Sequence, residues 1–187
     1  MKTPTHMLIG WALGRWFRPG DRSIRLAITA GAGLPDLPLI LLSGAAMASG
    51  WMTEGDALAI RATVDAAYFG SETFICLHHL LHSPVSLVFV VFAWWVARIH
   101  FGNSARTLLG LAIGAASHAV VDLATHRNDG VLFLWPLDWR LRATFGFDQW
   151  DMAGSGLWVV AAELVIWGIA GIWFGARAIR RGQLSAA

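Results

Sequence analysis

The sequence predicts an all-α fold, a polytopic transmembrane helical bundle of about five membrane helices plus an interfacial amphipathic helix. Three observations carry this. Of 187 residues, 56% are hydrophobic and only 14% charged, whereas a soluble domain averages about 25% charged residues. Mean hydropathy is +0.56. Eleven Trp stand against one Tyr, and Trp is enriched where helices cross a membrane–water interface. So few charges do not cover a water-facing surface of this size, but they can flank helices whose other faces meet lipid. The chain reads as one integral membrane domain over residues 1–187.

The elements follow in order. Residues 4–17 are apolar but short for a span, which needs about 20 residues, so this segment is tilted, half-inserted or packed inside the bundle. A secretory signal is the rival reading, but no small-x-small site follows it; Arg15, Trp16, Phe17 and Arg18 do. Residues 24–49 form a long span broken by Pro35 and Pro38, since proline lacks the N–H of a helical hydrogen bond. Residues 51–72 alternate Ala57, Leu58, Ile60 and Val64 with Glu54, Asp56, Arg61 and Asp65, the pattern of an amphipathic interfacial helix. Residues 83–97 are the most lipid-like stretch. Residues 104–126 form a Gly- and Ala-rich span carrying His118 and Asp122, with Gly110, Gly114, Ala115 and Ala116 suited to close helix packing. After an ordered loop over 127–151, a last span covers 154–176 and is apolar except for Glu163.

Charge orients the chain. The connections after the first and third membrane segments and the tail after the fifth hold Arg15, Arg18, Arg22, Arg25, Arg98, Arg106, Arg177, Arg180 and Arg181, against one acid, Asp21. The two intervening connections are acidic. By the positive-inside rule this predicts an amino terminus outside and a carboxyl terminus in the cytoplasm; if the first segment does not span, the amino terminus lies inside and the rest stands. The single Cys76 excludes an internal disulfide and a cysteine-based zinc site. The pI near 9.3 does not argue for nucleic acid, because the arginines flank apolar segments singly rather than clustering with aromatics.

On this topology six of the seven histidines fall in one leaflet, with His100 on the other side. His6 starts the first segment, and His78, His79 and His82 lie where the third begins. His118, Asp122 and His126 occupy the outer half and end of the fourth, and Asp36 sits beside the proline break. His118 and Asp122 are i and i+4, on one helix face, and His78 and His82 stand in the same relation. Imidazole and carboxylate suit zinc or a similar divalent ion. A charge at membrane depth costs about 2.5–3.5 kcal/mol, so two aspartates there want a cation, and the spans offer no lysine or arginine at that depth. The plainer alternative for each histidine is an interhelical hydrogen bond. Glu163 lines the same cavity or pairs with a histidine.

Thr5-His6, Leu34-Pro35-Asp36, His82-Ser83, Ser117-His118 with Asp122 and Thr125, and Leu134-Trp135-Pro136 come in order along the chain. This series resembles the bacterial inner-membrane metal-dependent hydrolases also described as LexA-binding, which are distantly similar to zinc-dependent phospholipase C. The resemblance covers nearly the whole chain. It departs where the family has a second acid after Pro-Asp and this chain has Pro38. It implies metal ligands at His6, Asp36, His82, His118 and Asp122, with Asp36 completing the shell or acting as general base on a water. The expected function is a zinc-dependent hydrolase working on a lipid or lipid-linked (phospho)ester at the outer face of the inner membrane, with membrane lipids as its partners. A metal or proton transporter is the alternative, as is a non-catalytic protein with a structural metal. The transporter needs polar residues continuing to the cytoplasmic side, where the sequence is apolar. The oligomeric state is open.

Overall fold

A computed structural model describes residues 1–53, 57–102, 105–127, 129–144 and 146–185. The described residues are helical apart from turns and isolated bridges. Helix α1 is Thr3–Phe17, with Pro4 in its first turn, where the missing N–H costs nothing. Helix α2, Arg22–Gly33, begins at Asp21, whose carboxylate accepts from Ile24 N–H at 3.1 Å. A 3-10 turn over Leu34–Asp36 separates it from α3, Leu37–Thr53, so the break falls where the two prolines predict. Helix α4 is Ala57–Gly70 and α5 is Glu72–His82. Helix α6 is Pro84–Phe101, α7 is Ala105–Thr125 and α8 is Gly156–Ser185.

Four stretches are long and apolar enough to cross a membrane: Arg22–Ser49, Pro84–Phe101, Ala105–Thr125 and Gly156–Arg181. Helix α1, at 15 residues, falls short and packs against α2 instead. The region 51–72 also differs from the single interfacial helix expected. Helix α3 runs on to Thr53, and a second helix starts after Ser71, whose side chain accepts from Phe74 N–H at 3.3 Å. Glu54, Asp56 and Ser104, which entered the sequence reading, lie outside the described residues. His78, His79 and His82 therefore belong to a short helix of their own rather than to the start of the third span. Ser83 ends that helix in an extended conformation (φ −71°, ψ 131°), as the residue before a proline prefers.

Glycines set how closely the helices approach. A Cβ on Gly31 would stand 2.2 Å from Leu111 O, and one on Gly114 would stand 2.1 Å from Ile28 O. The same contacts give direction. Gly110 lies by Ala27 and Gly114 by Ala32, so α2 and α7 run parallel; Gly10 lies by Ala32 and Gly14 by Arg25, so α1 runs against both. Thr5 lies by Trp167 and Trp11 by Trp173, so α8 runs with α1. Most of α8 faces outward, with Trp158, Ile172 and Ile179 exposed.

A candidate metal centre at one end of the bundle

Three elements bring four side chains together. Asp36 comes from the 3-10 turn, His82 from the last residue of α5, and His118 and Asp122 from successive turns of α7. One ligand atom from each lies within 4.8 Å of all the others. His118 Nε2 is 2.9 Å from Asp122 Oδ2, 3.1 Å from His82 Nε2 and 3.5 Å from Asp36 Oδ1. His82 Nε2 is 3.5 Å from Asp122 Oδ2 and 3.8 Å from Asp36 Oδ1. His82, His118 and Asp122 are buried, and Asp36 is half-buried at the edge.

The outer contacts fix which nitrogens carry protons. His82 Nδ1–H donates to His78 O at 2.7 Å, and His118 Nδ1–H donates to Ala32 O at 2.8 Å. In the neutral imidazole each Nε2 is then a bare lone pair, and the two face each other. Backbone carbonyls orient metal-ligating histidines in this way. The Ala32 carbonyl reaches His118 because Gly31 and Gly114 let α2 and α7 close to backbone contact.

Of the five residues expected as ligands, His6 stands apart from the four. Its Nε2 lies 3.1 Å from Asp122 Oδ1, the oxygen turned away from His118, and its ring stacks on His118 at 3.8 Å. His126 Nε2 approaches the same oxygen at 3.5 Å, while its Nδ1–H donates to Asp129 Oδ1 at 2.9 Å. Neither approach has hydrogen-bond geometry, so buried Asp122 Oδ1 is held by charge contacts alone, those two and the Met1 amino group at 3.7 Å. Burial works to raise the Asp129 carboxyl, but hydrogen bonds from His126 and Trp150 outweigh it and hold the group below its ordinary range. His78 stacks on His82 at 4.0 Å, and His79 is buried beside it with Nδ1 unpartnered. His100 is exposed at the far end of α6.

Sequence reasoning missed Thr3 and Tyr68; of Glu163 it foresaw the place in the cavity but not the partners. Thr3 Oγ1 donates to Asp36 Oδ2 at 2.5 Å. Glu163 Oε1 accepts from Lys2 N–H at 2.7 Å and from Thr5 Oγ1 at 3.0 Å, joining α8 to α1 rather than meeting a histidine. Tyr68 OH donates to Asp129 O at 3.0 Å; burial and the nearby Asp129 push its phenol up, so it stays neutral. None of these carries a periodicity or spacing signal. A cavity of about 550 Å³ is lined by three of the four, Asp36, His82 and Asp122, together with polar Lys2, His126 and Glu163 and apolar Leu39, Ile40 and Val160.

His79 makes a pH prediction. Burial, then the neighbouring His82 and Arg142, push its imidazole down to about 3, against an ordinary value of about 6.5. The unfolded chain therefore takes up the proton first. Its contribution to stability is whole above about pH 6.5 and is lost as pH falls from there toward 3. Thermal unfolding in detergent between pH 7.5 and 5 is expected to show a smaller acid-induced drop for His79→Asn than for the unaltered chain. Equal drops would refute it.

Fold and cluster together define an integral membrane protein with His and Asp side chains enclosed at one end of a helical bundle, in a set that can hold a metal ion. The chain belongs to the YdjM inner membrane protein family, whose family model matches residues 1–182. This agrees with the inner-membrane part of the resemblance; nothing matched bears on its hydrolase or phospholipase C part. No curated protein and no solved structure matches the chain.

Proposed function

We propose that Asp36, His82, His118 and Asp122 hold a divalent metal, zinc by their donor chemistry, and that the protein hydrolyses a lipid or lipid-linked (phospho)ester. One observation carries the metal reading: two Nε2 atoms, each left as a lone pair in the neutral imidazole by a carbonyl bond on the other nitrogen, meet at 3.1 Å beside two carboxylates. Lone pairs converging at that distance repel unless a cation or a proton is shared between them. His6 and His126 steady the second oxygen of Asp122, and His6 is the candidate fifth ligand.

When bound, zinc supplies Lewis acidity, lowering the pKa of a water toward about 7 and polarising the scissile bond. The protein's own groups do the rest. Asp36, at the cavity edge and held by Thr3, either completes the shell or takes the proton from the attacking water. The apolar part of the lining, Leu39, Ile40 and Val160, suits acyl chains, and the neutral Tyr68 lines the same cavity. The charge pattern supports an outward-facing site, a cytoplasmic carboxyl terminus and a single integral domain.

The test is chelator-sensitive release of product from a panel of lipid esters and phosphoesters by the detergent-purified protein. Asp36→Asn, which keeps an oxygen facing the site, is expected to keep the fold while lowering turnover by about 10²–10⁴-fold, the range for a general base. Metal-loaded protein without chelator-sensitive hydrolysis would overturn catalysis. Loss of stability with Asp36→Asn, instead of turnover, would point to a structural metal.

A further inference from the structure

At the end of the bundle away from the cluster, α1 and α8 leave a groove of about 720 Å³, lined by Ile9, Ala12 and Leu13 on one side and Ile166 and Ile169 on the other. The helices are buttressed rather than packed along it. Trp167 Nε1–H donates to Thr5 Oγ1 at 3.1 Å at one end, and Trp11 meets Trp173 edge-on at 4.9 Å at the other. Ile169 between them is 64% exposed.

Positive charge gathers at the Trp11–Trp173 end. The Arg15 guanidinium lies 5.6 Å from the Trp11 ring and 5.1 Å from the Trp173 ring, and that of Arg177 lies 4.2 Å from Trp173. Arg15, Arg181, Arg180 and Arg25 all act on Arg177 through their like charge. Among the described residues none of the five makes an ion pair with a carboxylate. A cluster of mutually repelling guanidinium groups, two of them held on aromatic faces at the mouth of an apolar slot, is complementary to an anion carrying a hydrocarbon chain.

We propose that this groove binds an anionic phospholipid, its phosphate on Arg15 and Arg177 and one acyl chain along α1 and α8. Basic pockets between transmembrane helices take such head groups, and guanidinium pairs with phosphate through two parallel hydrogen bonds. The length fits: the eight residue-to-residue steps from Leu8 to Trp16 rise about 12 Å, close to the roughly 15 Å depth of one leaflet. The site is independent of the metal reading.

Delipidated full-length protein in detergent is titrated with phosphatidylglycerol or with phosphatidylcholine of the same chains, read by native mass spectrometry and thermal unfolding. Phosphatidylglycerol is expected to bind and raise the unfolding midpoint, and phosphatidylcholine and inorganic phosphate to do neither. R15Q/R177Q and the groove-filling Ala12→Phe are each expected to weaken phosphatidylglycerol binding at least tenfold with zinc content unchanged. R15K/R177K, which keeps the charge, is expected to bind with intermediate affinity. Equal binding of the two lipids, undiminished binding by R15Q/R177Q, reproduction of the shift by inorganic phosphate, or a cross-link from position 169 to a second copy of the chain would each overturn it.

Discussion

Bound zinc is expected to fall from stoichiometric to undetectable when His118 is replaced by alanine, and likewise with Asp122→Ala. His118 Nε2 is the hub of the cluster, within 3.5 Å of an atom from each of the other three residues. Losing an outer-shell partner alone costs about 10–100-fold in affinity, so loss of the hub should exceed the upper figure. Stability should fall as well. Asp122 would lose its closest contact while remaining buried, and leaving a buried charge without its partner costs about 3–5 kcal/mol. The exposed His100→Ala is the control and should keep its zinc. Elemental analysis of detergent-purified proteins decides the matter, and stoichiometric zinc in His118→Ala would remove the proposed centre.

Gly114→Val should do comparable damage without touching a ligand. The added Cβ would stand 2.1 Å from Ile28 O, 2.6 Å from Ala32 N and 2.8 Å from Gly31 C, all of them backbone atoms that no rotamer change can move. Overpacking typically costs about 1–3 kcal/mol, occasionally more, and backbone on every side puts this case at the upper end. As α2 retreats it takes Ala32 O away from His118 Nδ1, so the ring loses the bond that fixes its tautomer. A lowered unfolding midpoint together with weakened zinc binding is the expected pair of results. Gly168→Ala is the comparison: a Cβ there meets nothing within 4 Å, and alanine is favoured over glycine in a helix by about 0.8–1 kcal/mol. An unshifted midpoint with full zinc in Gly114→Val would refute the account.

The spans, the proline break and the core of the cluster were legible in the sequence because each rests on a local rule. Hydropathy marks helices α6, α7 and α8, proline chemistry marks residues 34–36, and helical spacing puts His118 and Asp122 on one face. What failed to be legible was set by long-range contact. Nothing local says that Glu163 bonds Lys2 and Thr5 across some 160 residues of chain, or that His6 turns to the far oxygen of Asp122. The separate helix α5 was missed for a different reason. Its only boundary signals are Gly70-Ser71 and Ser83-Pro84, and apolar residues continue through both.

Ser83 Oγ donates to Trp135 O at 2.8 Å, with Phe133 O at 3.2 Å. The neighbour of a cluster histidine is thereby moored to a surface turn about fifty positions downstream. The junction between α5 and α6, one residue from His82, is therefore tied to the backbone of residues 133–135 as one unit. The placing of His82 thus depends on a backbone segment far from it in sequence, and not only on its own helix.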